Sequence, residues 1–316
     1  MGVRLAGVTF QGNPWTEHGR KIYAFDPVSA HMIMVRPIRL TTGYDPAPLA
    51  SYPASRATAS DALVTVPTSY VRYATWSYDP KTAGWEIVAP APVGLDTLVT
   101  TRHGVMGVNV HWQTRLNDAG YLLPWNPSQR PADTALYLFR SDLKRWERLS
   151  GPGVSPQNLY EMTSLAYDSL RDKVILHGAG QRQDELWNFD LESRRWTNAK
   201  PRVAAPEEAA PPVCAREAVY IPGQDVFLTY GPAPEDRTLG AVWVYRPGEN
   251  AWRRADISQV AGIEAARRAS QNRALVYDPK RDLVLLVLGG GGDAGVTQVY
   301  AMRYSHARAR FTSRSR

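Results

Sequence analysis

The sequence predicts an all-β chain, a β-propeller of four-stranded blades, and three observations predict it. A strand–turn–strand motif returns four times with a tryptophan opening its second strand, at Trp85, Trp146, Trp196 and Trp252, spaced by 61, 50 and 56 residues. A second recurring pair of strands precedes each copy. No stretch carries the 3.6-residue apolar period of a long helix. Self-similarity at about fifty residues is the signature of a repeat architecture, in which one supersecondary unit is stacked on the next.

The tryptophan motif reads TWSYDPKTAGWEIVAP, LYLFRSDLKRWERLSG, LWNFDLESRRWTNAKP and VWVYRPGENAWRRADI. Each copy is an alternating apolar strand, a polar turn, then a short strand. A weaker fifth copy, VYAMRYSHARARF, places Phe311 where the tryptophan would stand, 59 residues after Trp252. The preceding strand pair reads IYAFDPVSAHMIMVRP from Ile22, SLAYDSLRDKVILHGAG from Ser164, AVYIPGQDVFLTYGP from Ala218 and ALVYDPKRDLVLLVLGGGG from Ala274. The copy near Leu98, LVTTRHGVMGVNV, is degenerate. Period-two alternation with β-branched and aromatic enrichment marks strands, and the Tyr/Phe-Asp-Pro and Gly-Gln-Asp segments mark short hairpin turns.

Each unit is therefore a four-stranded meander that cannot cover both of its faces alone; stacking neighbours around an axis covers them. The tryptophans fit that packing role. A buried aromatic removes about 150–250 Å² from water, worth at most roughly 4–6 kcal/mol. Five blades can be counted in a single domain over 1–316, at about 18–92, 93–153, 158–203, 211–258 and 268–316. VRLAGVTF, before the first blade, reads as a strand with no partner in its own repeat. Either it pairs with the last blade to close the ring, or one or two N-terminal blades of a six- or seven-bladed ring precede it; the second is preferred.

The Tyr-Asp turn, the strand ending in glycines and the aromatic-Asp strand with a tryptophan about six residues on resemble the kelch family. The resemblance covers nearly the whole chain and is best over 160–305. It implies a propeller that serves as a binding module or an enzyme scaffold, so it speaks to architecture rather than activity. The double glycine is complete only at Gly289-Gly290. The same resemblance suggests galactose oxidase, whose copper site needs a tyrosine cross-linked to cysteine and a tyrosine adjacent to histidine. The sequence has no Tyr-His pair, and its one cysteine, Cys214, lies outside the long loops. No copper site and no other cofactor is therefore expected.

Composition sets the remaining bounds. Hydrophobic residues make up 44% and charged residues 21% of 316, ordinary for a globular chain. No apolar run reaches the length that spans a bilayer, and no signal peptide is visible at the N-terminus. A single cysteine excludes an intrachain disulfide framework. The net charge of +7 is mostly arginine and is spread over all the repeats. That suits an anionic partner through bidentate contacts better than it suits dedicated nucleic-acid binding. LGGGGDAG lacks the Gly-Lys-Ser/Thr ending of a phosphate loop. Arginine over lysine and rich alanine and proline usage resemble a high-GC bacterial gene; bacterial kelch propellers are often exported, which favours an extracytoplasmic location.

Function is expected on two long loops between second and third strands, 36–71 and 111–133, in adjacent blades and on one face. The candidate ligand-binding residues are Arg36, Arg39, Tyr44, Arg102, His103, His111, Trp112 and Arg115, with Asp45, Asn117, Asp118 and Trp125 beside them. Arginines among aromatics suit a carboxylated or phosphorylated ligand, or a sugar stacked on an indole. The spacing of His103, His111 and Asp118 matches no compact metal motif. The expected function is a non-catalytic binding propeller for a protein or glycan. The alternative is a carbohydrate-active enzyme such as a lyase of acidic polysaccharides. There Arg102 would neutralise a uronate, and His103 or His111 would abstract the adjacent proton.

Overall fold

Aromatic residues five positions before a left-handed residue shape most of this fold. In a computed structural model, the described residues are 4–5, 8–9, 23–40, 70–92, 95–109, 115–116, 122–123, 134–150, 153–157, 159, 163–179, 184–203, 217–233, 240–257, 273–288 and 298–311. A two-stranded hairpin comes first, β1 (Arg4–Leu5) on β2 (Val8–Thr9). Arg4–Leu5 and Val8–Thr9 therefore pair with each other, where a single strand was expected.

The first blade is β3 (Tyr23–Asp26), β4 (His31–Leu40), β5 (Tyr70–Asp79) and β6 (Gly84–Pro90), antiparallel in chain order. The second is β7 (Leu95–Thr101) and β8 (Gly104–Asn109), then a short hairpin of β9 (Arg115–Leu116) and β10 (Leu122–Leu123), then β11 (Leu136–Arg140) and β12 (Arg145–Arg148). The third is β13 (Ser164–Asp168), β14 (Lys173–Ala179), β15 (Glu185–Asp190) and β16 (Arg195–Asn198). After it β17 (Arg202–Val203) pairs in parallel with the last strand of the fourth blade. That blade is β18 (Glu217–Ile221), β19 (Val226–Pro232), β20 (Gly240–Arg246) and β21 (Ala251–Ala255). The described residues of the fifth carry three strands, β22 (Arg273–Asp278), β23 (Leu283–Leu288) and β24 (Gln298–Met302). The chain is all-β, with five antiparallel blades, and its fold is a β-propeller.

Among the described residues, eight hairpins use one four-residue turn whose last residue is left-handed: Ala30, Ala83, Lys144, Asp172, Arg194, Asp225, Asn250 and Asp282, with φ between 48° and 60°. The residue five positions earlier is always Phe or Tyr. Where it is Tyr and the left-handed residue is Asp or Asn, the phenol closes the turn. Tyr167 donates to Asp172 (2.6 Å), Tyr220 to Asp225 (2.6 Å), Tyr277 to Asp282 (2.9 Å) and Tyr245 to Asn250 (3.0 Å). The Asp after the aromatic residue caps the same turn from the other side. Asp168 accepts from the N–H groups of Leu170 and Arg171 at 3.0 and 3.1 Å. The second blade's first turn departs from this rule, with only Arg102 and His103 between Thr101 and Gly104.

The chain divides into two compact units, residues 1–17 with 22–152, and residues 18–21 with 153–316. Within the first unit, β3 lies against β7, and Ala24, Ile33 and Val35 pack on Leu95, Leu98 and Phe139. Trp146 donates its indole N–H to Thr75 Oγ1 across the blades (2.7 Å). Within the second unit, β13 and β22 each lie against β18. Leu186 and Ile175 pack on Phe227 and Trp243, and Leu228 and Val244 pack on Leu275 and Leu286. The first strands of successive blades are therefore the inner ones, and the tryptophan strands are the outer ones.

Those four tryptophans do pack within the blades. Each leans on the aromatic residue of the strand before it, with ring centroids 5.0–5.4 Å apart: Tyr78–Trp85, Phe139–Trp146, Phe189–Trp196 and Tyr245–Trp252. The fifth copy breaks the rule. Met302 stands at the aromatic position, a short 3-10 turn at His306–Arg308 interrupts the strand, and Phe311 bridges Ala255 of the fourth blade. Phe311 therefore does not stand in for a tryptophan of its own blade.

Candidate functional site

The connections singled out from sequence do join second to third strands. Strand β4 extends through Leu40 and β5 begins at Tyr70, so the first connection is 41–69 rather than 36–71. Arg36 and Arg39 belong to the ladder, opposite Ala74 and Val71. The second connection runs from 110 to 135 and contains the β9–β10 hairpin, with Arg115 opposite Leu123. Tyr44, Asp45, His111, Trp112, Asn117, Asp118 and Trp125 lie outside the described residues, as do Cys214 and Gly289-Gly290.

Both connections leave one end of the first unit. Thr100 Oγ1 donates to the carbonyl of Phe25 (2.8 Å), which sets the first turns of the two blades side by side. The long connections therefore depart from the other ends of the same strands. Arg102 and His103 sit on the turn, both exposed, with Arg102 Nε donating to His103 Nε2 (3.3 Å). The chain passes through all of β8, about 20 Å at 3.3 Å per residue, before it enters the second connection. The geometry brings Arg102 and His103 together and places both at the opposite end of β8 from that connection.

Sequence reading missed a cleft at the turn end of the first blade. It has a volume of about 290 Å³ and is bordered by His31, Ser77, Asp79, Thr82, Gly84 and Glu86. Strand register brings these residues together: Asp26 pairs with His31, Ser77 with both Ile33 and Glu86, and Asp79 with Gly84. His31 Nδ1 is 2.8 Å from Ser77 Oγ, and its Nε2 is 3.9 Å from Asp79 Oδ1. Asp79 accepts the N–H of Lys81 (2.8 Å), which holds its carboxyl below the usual range. The trio is not a nucleophile–base–orienter relay. Ser77 is 4% exposed, and 3.9 Å is beyond a hydrogen bond that would orient the imidazole. The sequence signal, a histidine opening a strand after an Asp-Pro turn, carries no chemistry until β5 is laid beside β4.

A second cluster missed from sequence ties the third blade to the fourth. Arg171 Nη1 and Nη2 donate to the two oxygens of Asp225, both at 2.7 Å, and Nη1 also reaches Asp168 (3.0 Å) and the Tyr220 hydroxyl (3.2 Å). Asp225 is held well below the usual carboxylate range, first by Arg171. Tyr220 is pushed up by burial and by its bond to Asp225. Arg171 thus bonds residues of both blades, and the cluster works as an inter-blade clamp. His177, in β14, is 1% exposed and lies edge-on to Trp252 at 5.2 Å. Among the described residues no group of three or more His, Cys, Asp or Glu is placed to hold a metal ion, and no helix is long and apolar enough to cross a membrane.

No protein-family model matches the chain, and no curated protein sequence matches it. Among solved structures, TolB from Acinetobacter baumannii is similar at 11% identity and a TM-score of 0.44, over 76% of this chain and 48% of that one. A protein of unknown function from Dyadobacter fermentans DSM 18053 is similar at 11% identity and a TM-score of 0.49, over 96% of this chain and 84% of that one. The chain spans about half the length of the TolB chain it matches.

Proposed function

We propose that the protein is a non-catalytic, kelch-like binding propeller that presents its two long second-to-third connections, in the first and second blades, to a protein or glycan ligand. The observation that carries this reading is topological. The corresponding connections of the other blades are much shorter, at 180–184, 233–239 and 289–297, whereas 41–69 and 110–135 leave one end of two packed neighbours. Long connections on a rigid sheet scaffold are where binding groups concentrate. An arginine-rich surface favours a ligand with carboxylate or phosphate groups.

The test replaces 41–69 and 110–133 separately with short Gly-Ser turns. Wild type and both variants are then screened by titration against acidic and neutral glycans and a peptide panel. Binding by wild type that is lost in either variant, with the unfolding transition retained, supports the reading. Binding unchanged in both variants overturns it. New ultraviolet absorbance on incubation with uronic-acid polymers, lost in His103→Ala, would replace it with the lyase.

A further inference from the structure

The chain beyond Met302 leaves β24 and crosses to the fourth blade. It makes one 3-10 turn, with the Arg308 N–H donating to Ser305 O (3.1 Å) and the Ala309 N–H to His306 O (3.3 Å). It then meets the end of β21, where Phe311 bridges Ala255 and Asp256 donates its N–H to Arg310 O (2.8 Å). Tyr304 is 8% exposed, and with Ala309 and Phe311 it seals the rim of the apolar cluster between the fourth and fifth blades. The Arg253 guanidinium lies 5.3 Å from the Phe311 ring. A segment held by so few backbone bonds can open well below the free energy of global unfolding.

His306 is the centre of this docking. Its N–H donates to Gln224 Oε1 on the fourth blade's first turn (2.9 Å), and its Nδ1 is 2.9 Å from the Tyr304 hydroxyl. Its ring lies tilted against Phe311, with centroids 5.5 Å apart. From the β20–β21 hairpin it faces Arg246, Glu249 and Arg253. Both guanidiniums pair with the one carboxylate of Glu249. On the third side Asp225 follows Gln224 and is held by Arg171. Within its own segment the neighbours are Tyr304 and the exposed Arg308. Two cations against one anion accept a neutral imidazole; an imidazolium would be a third positive charge in a half-buried place.

We propose that residues 303–311 form an acid-released strap, in which protonation of His306 undocks the segment from β21 and uncovers the edge of the fourth blade at Ala255–Ile257. Burial and Arg246 hold the docked imidazole below its ordinary 6.5. The released imidazole titrates near that ordinary value, so the released state binds more protons. Docking is complete above about pH 6.5 and weakens as pH falls from there towards the docked value.

The test is amide hydrogen exchange at pH 7.5 and 5.5, corrected for intrinsic rates. The Asp256 and Ala309 amides should lose protection by up to about tenfold per pH unit, the limit for one proton. Leu228, in the core of β19, should not change. His306→Gln should abolish the dependence, and in wild type an NMR titration of His306 should give a midpoint below 6.5. The proposal fails if protection is flat with pH, or if the loss persists in His306→Gln. It fails equally if Leu228 loses protection in parallel, or if the midpoint is at or above 6.5.

Discussion

Arg171 on the first turn of the third blade holds Asp225 on the first turn of the fourth through two parallel hydrogen bonds of 2.7 Å. Asp225 is also the left-handed corner of its own turn, at φ 50°, and accepts the Tyr220 hydroxyl at 2.6 Å. One carboxylate thus closes a hairpin and fastens it to its neighbour. The side chains remain 37% and 27% exposed, so solvent screens the pair and its worth stays near ~1 kcal/mol despite the bidentate geometry.

A double-mutant cycle measures that coupling. Arg171→Met and Asp225→Asn, singly and together, should show an interaction of ~1 kcal/mol in urea unfolding. Asparagine keeps an acceptor for Tyr220 and tolerates the left-handed corner, so the cycle isolates the charge pair. Additive single effects would mean that the clamp contributes nothing.

The same pair sets an acid limit. Arg171 depresses the Asp225 pKa below 3.8 in the folded state, so the unfolded chain binds the proton first. The contribution is fully present above about pH 4 to 5, and it is lost as pH falls through the folded value. Stability of wild type should therefore drop more steeply than that of Asp225→Asn between pH 5 and 3. Parallel curves would contradict the assignment.

Turn corners offer a prediction with two signs. Lys144 is left-handed at φ 50° with Phe139 five residues before it, so no phenol uses its side chain. Glycine relieves about 1–2 kcal/mol of backbone strain there and costs about 0.4–1 kcal/mol in unfolded-state entropy. Lys144→Gly should therefore stabilise by up to ~1.6 kcal/mol. Asp172→Gly gains less relief, because aspartate tolerates the left-handed region, and it loses the 2.6 Å bond from Tyr167, worth about 0.5–1.5 kcal/mol. Its net effect should be neutral to destabilising. Thermal melts of both variants compare them directly, and a stabilised Asp172→Gly would show that the phenol bond is dispensable.

Local features were readable in the sequence because they repeat within six residues. YDSLRD, YIPGQD and YDPKRD spell the aromatic residue and the left-handed aspartate, and the tryptophan marks the outer strand. The contacts that matter between blades were not readable. Arg171 and Asp225 are 54 positions apart, and His31 and Ser77 are 46 apart, so each pairing exists only once the strands are laid in register. Phe311 misled because its place in the repeat resembles a tryptophan, whereas Met302 offers no ring for it to lean on; it meets the Arg253 guanidinium and the Ala255 backbone of the fourth blade instead. Arg36 and Arg39 read as loop because Pro37 interrupts the apolar run. The long partner strand β5 nonetheless extends the ladder past it to Leu40.

The four tryptophans look equivalent in sequence and differ in burial, which predicts unequal costs of truncation. Trp252 is 2% exposed and touches Tyr245, Phe227 and His177, three rings from two blades. Trp85 is only partly buried and leans on Tyr78 of its own blade. Trp252→Ala should cost about 3–5 kcal/mol, because the surrounding sheets cannot collapse into the space. Trp85→Ala sits where solvent already reaches the ring, and should cost less than ~2 kcal/mol. Urea unfolding followed by circular dichroism measures both. Equal losses would mean that the inter-blade contacts of Trp252 add nothing to the within-blade pair that all four tryptophans share.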